Sequence, residues 1–327
     1  MPWFDLSEDE LHRYRIATEE PADLDQWWQA RLDEARAADT GTTLTRHAPA
    51  AYGPVEVYDV EFSGARGDRI RGWYLRPPAP AGVDLPIVVT FVGYGGGRGV
   101  PADHLALPAL GLAVFVMDTR GQGGNWTVGA TGDPGRAGDG PEYPGVMSRG
   151  IARPETYYYG RVFVDAARAV EVAAGLDGVD ATRLAVAGAS QGGGLAIAAA
   201  ALQPDLVRVC QADVPFLCDI QRAIGLTGSY PYQEIADFLA RHDDLVPAAL
   251  NTLRYVDCAL LARRVRADCL FAVGLMDDVC PPSTVFAAYH EVSSAKQIAV
   301  YRFGVHAVVP GHAERRLAHL RERLPVG

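Results

Sequence analysis

A serine lies among glycines in the stretch AVAGASQGGG, residues 185–194. Gly188, Ser190 and Gly192 have the G-x-S-x-G spacing of a nucleophile elbow, in which a serine projects from a sharp turn between a strand and a helix. Glycines flank such a serine because a side chain at either position would collide with the turn. Ser190 is therefore a candidate nucleophile for acyl transfer. The alternative is a glycine-rich turn that only lets a helix lie close to a sheet.

A serine hydroxyl becomes an effective nucleophile when a neighbouring base removes its proton. His306 is the predicted base because it comes directly after QIAVYRFG, in the loop after the last predicted strand. His312 lies close to His306 in the sequence and is the alternative base. His290 is predicted to lie on a helix surface, and His319 to be solvated on a polar C-terminal helix. Lys296, the only lysine, follows a helix in a polar stretch and is a weaker candidate.

A carboxylate that orients the histidine should follow the preceding strand. The stretch CLFAVGLMDDVCPP, residues 269–282, offers Asp277 and Asp278 there. Asp277 comes first after the turn, and we predict that it holds the imidazole tautomer and stabilises the imidazolium as it forms. Either aspartate could instead cap the helix that begins near Ser283, and Asp278 is the one expected to cap it or to face solvent.

An oxyanion is stabilised by two backbone N–H groups, one of them from the residue after the nucleophile. That residue is Gln191, and Tyr94 in the loop FVGYGGGRG (91–99) is the predicted second donor. The loop lacks the G-K-[ST] ending of a P-loop. It also lacks the full pattern of a dinucleotide-binding turn. An oxyanion hole is therefore favoured over a phosphate site.

The elements that must position these residues alternate between strands and helices. Strands are predicted at 55–64, 69–77, 86–93, 112–118, 183–188, 206–213, 269–274 and 297–303, and helices include 156–176 and 283–295. The first two strands alternate apolar and polar residues, as antiparallel strands do, whereas the later ones are almost continuously apolar, as in buried parallel strands. The predicted fold is α/β, a doubly wound, mostly parallel sheet with N-terminal antiparallel strands.

No linker divides the chain, so residues 1–327 are predicted to form a single domain. Helices are predicted at about 229–262, where they lie between two strands and form a cap-like insertion. Residues 119–155 are rich in glycine, proline and aspartate and are too long for an ordinary connection. That segment is predicted to be functional or disordered.

The composition excludes several classes of protein. The net charge of −10 disfavours nucleic acid and anionic membrane surfaces as partners. Five cysteines without a C-x-x-C pair argue against a disulfide framework and a structural zinc site. The N-terminus lacks the pattern of a signal peptide, and no stretch approaches the ~18 consecutive apolar residues of a membrane span. A cytoplasmic location without metal or organic cofactor is expected.

Taken together, these segments resemble the acetyl xylan esterase and cephalosporin C deacetylase family, carbohydrate esterase family seven. The matching stretches cover almost the whole chain: 1–6, 62–78, 91–99, 116–126, 144–151, 156–171, 188–196, 213–219 and 274–289. The resemblance implies an α/β-hydrolase fold with Ser190 as nucleophile, Asp277 as orienting acid and His306 as base. It implies the Tyr94 and Gln191 amides as the oxyanion hole. It also implies structural support from the motif Arg120-Gly121-Gln122.

The resemblance carries further expectations. The stretch FSGARGDRIRGW resembles the β-interface of a family that typically assembles as a hexamer around a central cavity, so a homo-oligomer that admits small acetylated molecules is expected. The family usually has His-Glu after the last strand, where this chain has His306-Ala307. The expected function is a serine carboxylesterase that deacetylates small esters such as acetylated xylo-oligosaccharides or cephalosporin C through an acyl-enzyme. An esterase or peptidase with another acyl or amine preference, and a non-catalytic relative of the fold, are the alternatives.

Overall fold

The computed structural model describes residues 3–48, 50–134, 144–307 and 309–325. Residues 1 and 2 of the N-terminal matching stretch and residues 135–143 of the 119–155 segment lie outside these ranges. What was predicted for those positions is therefore not described below.

One nine-stranded sheet forms the centre of the molecule, in the order β1-β2-β3-β5-β4-β6-β7-β8-β9. The strands are β1 Thr43–Arg46, β2 Glu56–Ser63, β3 Arg69–Arg76, β4 Leu85–Phe91, β5 Ala113–Met117, β6 Val179–Ala189, β7 Val207–Asp213, β8 Asp268–Gly274 and β9 Lys296–Tyr301. The first three strands are antiparallel, and β3 runs antiparallel to β5. All later pairings are parallel. The doubly wound, mostly parallel sheet is therefore confirmed.

Helices cover both faces of the sheet. They are α1 Glu8–Leu11, α2 Leu24–Ala37, α3 Tyr158–Ala174, α4 Gln191–Leu202, α5 Ile220–Leu226, α6 Tyr232–Leu239, α7 Val246–Tyr255, α8 Cys258–Leu261, α9 Pro282–Glu291 and α10 Pro310–Arg323. Alternate residues of β4 point to opposite faces, as the period of a strand requires. Ile87 and Val89 enter the main core with α3 and α4, whereas Val88 meets Leu320 of α10 in a smaller core.

Helices α5 to α8 lie between β7 and β8; α6, α7 and α8 fall within the predicted range of 229–262, and α5 precedes it. Within it, residues 243–264 are long and apolar enough, by composition alone, to cross a membrane. About half of that stretch is buried. It is also divided among separate short helical elements, α7 and α8 among them. Both properties are those of apolar core helices, which pass the same composition test.

The N-terminal segment is tied to the far end of the chain. Asp5 Oδ2 accepts a 2.7 Å hydrogen bond from the backbone N–H of Ser283 in the first turn of α9. Its Oδ1 accepts one from Arg222. Tyr14 also donates a 2.6 Å hydrogen bond to Asp219, at the start of α5. Residues near the start of the chain therefore fix the helix that follows the Asp277 loop.

Candidate active site

Ser190 lies at the junction of β6 and α4 in a backbone conformation that side chains rarely adopt, with φ 57° and ψ −122°. Its N–H donates to the carbonyl of Asp213, and its carbonyl accepts from the N–H of Phe216, both at 2.9 Å. Such strain persists only where surrounding contacts enforce it, and it is concentrated at functional sites. These two hydrogen bonds to the neighbouring β7 segment hold the turn.

The glycines of the elbow are required by close backbone approach. A Cβ atom added at Gly188 would lie 2.3 Å from the backbone of Gly192, and one added at Gly192 would lie 2.3 Å from the carbonyl oxygen of Phe91. These contacts bring the start of α4 against β4. The glycines thus do allow close packing, and the same packing presents Ser190 at the end of the turn.

His306 bridges Ser190 and Asp277. Its Nε2 lies 2.9 Å from Ser190 Oγ, and its Nδ1 lies 2.9 Å from Asp277 Oδ2. Because the carboxylate accepts from Nδ1–H, Nε2 is left to accept the serine proton. Asp277 is fully buried, and its Oδ1 accepts the N–H groups of Val279 and Cys280 at 2.9 Å each. The carboxylate is therefore fixed from both sides.

The loops that carry the aspartate and the histidine are joined directly. The N–H of Leu275 donates to the carbonyl of Tyr301, and that of Met276 donates to Gly304. A Cβ at Gly274 would lie 2.5 Å from the Gly304 carbonyl oxygen, so the loops touch through backbone alone. Asp277 and His306 are consequently positioned as one unit.

The two predicted oxyanion donors are available. Within the described ranges, the backbone N–H groups of Tyr94 and Gln191 have no hydrogen-bond acceptor. Gln191 also begins α4, so the partial positive charge of that helix N-terminus adds to the attraction for an anion. Its side chain is buried and donates to the Val92 carbonyl. That contact fixes the start of α4 against the loop that carries Tyr94.

The Arg120-Gly121-Gln122 motif supports the loops that carry the two oxyanion donors. Gln122 Oε1 accepts a 2.7 Å hydrogen bond from the N–H of Gly95, and its Nε2 donates to Gln191 Oε1 at 2.8 Å. Arg120 is fully buried and donates two hydrogen bonds to Asp165, at 2.6 and 2.8 Å. Gly121 takes a positive φ of 66°, which suits glycine. One glutamine side chain thus braces both loops of the oxyanion site.

The sequence analysis missed Glu234 of α6. Its Oε1 accepts a 2.7 Å hydrogen bond from the Tyr94 hydroxyl, and its Oε2 accepts the N–H of Met147 at 3.1 Å. Burial raises the pKa of Glu234, while the hydrogen bonds from Tyr94 and the backbone oppose that rise. No motif marks this residue. The only signal in the sequence is an acidic side chain on the buried face of an amphipathic helix.

Two cavities meet at Ser190 and His306. One, of about 530 Å³, is lined by aromatic and polar side chains from the insertion and its surroundings: Tyr94, Asn125, Trp126, Tyr230, Pro231, Glu234 and Val279. The other, of about 380 Å³, extends along the strand ends toward Thr90, His104, Ala307 and Arg316. Trp126 lines both cavities and donates a hydrogen bond to the Tyr94 carbonyl. Both cavities are therefore lined by Ser190 and His306.

The other three histidines considered as the base bond to groups other than Ser190. His312 is fully buried, with Nε2 2.7 Å from Asp213 Oδ1 and Nδ1 2.8 Å from the Tyr301 hydroxyl. The predicted solvation of His319 is wrong. That ring is 5% exposed and contacts Asp268, because its face of α10 packs on the sheet.

His290 is half-buried, with its Nε2 3.2 Å from the Leu11 carbonyl oxygen, so α1 covers part of the surface on which it was predicted to lie. Lys296 donates to carbonyls at the end of α9, Tyr289 among them. The predicted capping of α9 by Asp278 is wrong, because Asp5 accepts the N–H of Ser283 in the first turn of that helix. Asp278 is half-buried and accepts a 2.8 Å hydrogen bond from Ser229.

Metal-ligand clusters and disulfides are absent from the part of the chain that the structure describes. No group of three or more His, Cys, Asp or Glu side chains there could hold a metal ion. The five cysteines are all free and buried.

Comparison with known proteins gives consistent results. The family model for acetyl xylan esterase matches residues 1–324. The acetyl xylan esterase from Paenibacillus sp. R4 is 33% identical and superimposes with a TM-score of 0.92, covering 98% of this chain and 100% of that one. Acetyl xylan esterase 1 from Thermoanaerobacterium sp. JW/SL YS485 is 34% identical with a TM-score of 0.89, covering 98% and 99%. These similarities confirm the α/β-hydrolase fold.

A curated relative extends beyond this chain. Acetyl esterase Axe7A of Xylanibacter ruminicola is 27% identical over 291 residues, which cover 88% of this chain and 64% of that protein. The chain thus spans less than two thirds of the length of the curated relatives it matches.

Proposed function

This chain belongs to the acetyl xylan esterase family, and on that basis we propose that it is a serine carboxylesterase that removes acetyl groups from small O-acetyl esters. The observation that carries the proposal is the 2.9 Å contact of His306 Nε2 with Ser190 Oγ, together with the backbone N–H groups of Tyr94 and Gln191, which have no acceptor among the described residues. A hydroxyl, a base and two oxyanion donors are the groups that acyl transfer requires.

In the first half of the reaction, Ser190 Oγ attacks the acetyl carbonyl carbon while His306 Nε2 takes the hydroxyl proton. The carbonyl oxygen becomes an oxyanion and accepts hydrogen bonds from the N–H groups of Tyr94 and Gln191. Asp277 stabilises the imidazolium through Nδ1–H. Collapse of the tetrahedral intermediate breaks the ester C–O bond, and Nε2 gives its proton to the departing alkoxide. The acetyl group is then bound to Ser190.

In the second half, His306 removes a proton from water, and the resulting hydroxide attacks the acetyl-enzyme carbonyl. The same two amides hold the second oxyanion. Collapse releases acetate and returns the proton from His306 to Ser190 Oγ. Every proton is therefore transferred by one imidazole, and the residues that hold it need not move.

The cavity lined by Tyr230 and Glu234 supports a small oxygen-rich alcohol as leaving group. Its aromatic rings offer apolar faces, and Asn125 adds a polar side chain. Acetylated xylo-oligosaccharides and cephalosporin C-like esters are the substrates we propose from the family relationship. A homo-oligomeric state and a cytoplasmic location stay predictions from the sequence.

The test is hydrolysis of 4-nitrophenyl acetate and 4-nitrophenyl butyrate by the wild type and by Ser190→Ala. We expect acetate hydrolysis to exceed butyrate hydrolysis by at least tenfold, and Ser190→Ala to lower the acetate rate by more than about 10³-fold. Equal rates for the two proteins would refute the serine mechanism. Equal rates for the two esters would refute the acetyl preference alone.

A further inference from the structure

Among the described residues that line the 380 Å³ cavity, Arg316 of α10 is the only arginine, lysine, aspartate or glutamate. Ser190 and His306 line the same cavity, so a molecule held at the serine can extend to the guanidinium. The 530 Å³ cavity is lined by Glu234 instead. The two cavities therefore differ in the sign of the charge that their side chains can carry.

The guanidinium of Arg316 is only partly used by the fold. Its Nε donates a 3.2 Å hydrogen bond to Gln211 Oε1, and its Nη1 lies 3.2 Å from Asp213 Oδ2. The second contact lacks hydrogen-bond geometry, so within the described ranges neither terminal nitrogen donates a hydrogen bond. Both nitrogens keep accessible surface, and the side chain as a whole is 28% exposed. A bound acceptor can therefore reach them.

Arg316 is held in place by the neighbouring strand β7. Gln211 accepts from its Nε and also donates from Nε2 to its carbonyl oxygen at 2.9 Å. Asp213 relates the guanidinium to the nucleophile, because the Asp213 carbonyl accepts the N–H of Ser190. Since the side chain is already ordered, a ligand would bind it at little cost in conformational entropy.

The carboxylate behind Arg316 does not cancel its attraction for an anion in the cavity. Asp213 is fully buried, and its Oδ1 lies 2.7 Å from His312 Nε2. A ligand in the cavity meets the exposed guanidinium at closer range than this buried carboxylate, and the nearer charge dominates the interaction. A planar guanidinium with two available terminal nitrogens matches the two oxygens of a carboxylate.

We propose that Arg316 is a specificity-determining residue that binds a carboxylate on the alcohol part of the substrate. This inference rests on the proposed function, because it requires an acetyl ester held at Ser190. The preferred substrate is then an acetyl ester whose alcohol carries a carboxylate within reach of the 380 Å³ cavity. Glu234 disfavours that carboxylate in the other cavity, so the charge also selects where the alcohol lies.

The experiment compares two acetyl esters that differ in charge, 4-acetoxybenzoate and its uncharged amide 4-acetoxybenzamide. The ratio of kcat/KM for the carboxylate to that for the amide is measured in each protein, so that effects common to both esters cancel. We expect Arg316→Met to lower this ratio roughly tenfold, chiefly through the KM of the carboxylate. Arg316→Lys should restore part of it, because lysine keeps the charge without the planar fork.

The matched control is Arg315→Met. Arg315 is the neighbouring exposed arginine and is not among the residues that line the cavity, so its loss changes the net charge by the same amount. The ratio should stay as in the wild type. An equal fall of the ratio in Arg315→Met and Arg316→Met would overturn the proposal, because the preference would then come from overall charge.

Ala307→Glu tests the cavity without removing a contact of Arg316. Ala307 is exposed and lines the same cavity, so a carboxylate placed there competes for the guanidinium. The ratio should fall at least threefold. Thermal unfolding verifies that each variant is folded. If Arg316→Met does not fold, Ala307→Glu decides, and an unchanged ratio in a folded form of either variant would overturn the proposal.

Binding to Ser190→Ala separates this inference from the proposed function. That variant keeps the cavity and cannot form the acyl-enzyme, so calorimetry measures binding of the intact esters. It should bind 4-acetoxybenzoate roughly tenfold more tightly than 4-acetoxybenzamide, and adding Arg316→Met should remove the preference. Equal binding of the two esters would overturn the carboxylate site. A retained preference without hydrolysis by the wild type would support the site and refute only the proposed function.

Discussion

The Tyr94 hydroxyl donates a 2.7 Å hydrogen bond to Glu234, and through it the oxyanion loop is fastened to the helical insertion. The same hydroxyl accepts the N–H of Val146 at 3.0 Å. One half-buried phenol thus joins three segments that are distant in sequence. The backbone N–H of Tyr94 has no hydrogen-bond acceptor among the described residues.

Tyr94→Phe should lower kcat on 4-nitrophenyl acetate by about tenfold with little change in KM. Loss of an entire oxyanion donor costs about 10²- to 10³-fold, and here the donor stays but its support is removed. Glu234→Gln should have a smaller effect, because the amide oxygen can still accept from Tyr94. Steady-state kinetics on both variants measures this, and a larger loss in Glu234→Gln than in Tyr94→Phe would contradict it.

Replacing His306 and His312 in turn separates catalysis from stability. His306→Asn should reduce kcat/KM at least 10³-fold while leaving the melting temperature nearly unchanged, since its ring is partly exposed. His312→Asn should keep activity within about tenfold and lower the melting temperature, because Asp213 loses a buried partner. Ester hydrolysis and thermal unfolding of the two proteins give the comparison. The reverse pattern would make His312 the base.

Gly192→Ala should destabilise the protein by at least ~2 kcal/mol, because the added Cβ would lie 2.3 Å from the Phe91 carbonyl oxygen. Gly225 of α5 is the matched helical control, since a Cβ there meets nothing within 4 Å. Gly225→Ala should be neutral or stabilise by roughly 0.5–1 kcal/mol. Urea unfolding of both variants measures the difference. Equal stabilities would mean that the elbow can relax around a methyl group.

Asp257 should make stability depend on pH. Burial, aided by the nearby charge of Asp219, raises the pKa of its carboxyl from 3.8 to about 7. Between those values the folded state binds more protons than the unfolded state, so the free energy of unfolding falls as pH rises from about 4 to 7. The stabilising contribution is complete below pH 4 and is lost above pH 7.

Urea unfolding at pH 5, 6, 7 and 8 measures this slope. Asp257→Asn should flatten it, although the raised pKa values of Asp219 and Glu234 leave part of it in place. Asp205→Asn is the control, because that side chain is 87% exposed. A slope that is identical in wild type and Asp257→Asn would exclude this carboxyl as its source.

Much of the fold follows from local patterns. The apolar runs at 86–93 and 269–274 overlap β4 and β8, which each begin one residue earlier, because parallel strands buried on both faces need no polar alternation. Strand β1 was missed since its four residues are all exposed and carry no alternation. Such an edge strand is specified by its partner β2, which local sequence does not reveal.

The site residues also divide into those that local sequence marks and those that only tertiary contacts fix. Ser190, Asp277 and His306 each follow a predicted strand, so the G-x-S-x-G spacing and the order of elements together pointed to them, with Asp278 and His312 as the alternatives. Glu234 was not singled out, because its role depends on α6 meeting the Tyr94 loop. His319 was expected in solvent since polar helices usually face water, but Asp268 and Gln211 satisfy its ring nitrogens inside the fold. Tertiary pairing of this kind leaves no mark on local composition.

The separation of Ser190 and His306 along the chain also sets when activity can arise. They are 116 residues apart, and Asp5 meets Ser283 across 278 residues. At roughly 5–20 residues per second, a ribosome needs about 6–23 s to travel from the serine to the histidine. For most of that interval β6 and β7 stand without β8 and β9 beside them, and their apolar faces are open to aggregation. The time at which a newly made chain begins to hydrolyse esters thus reports when folding is complete. Chaperones that shield parallel strands should change that time.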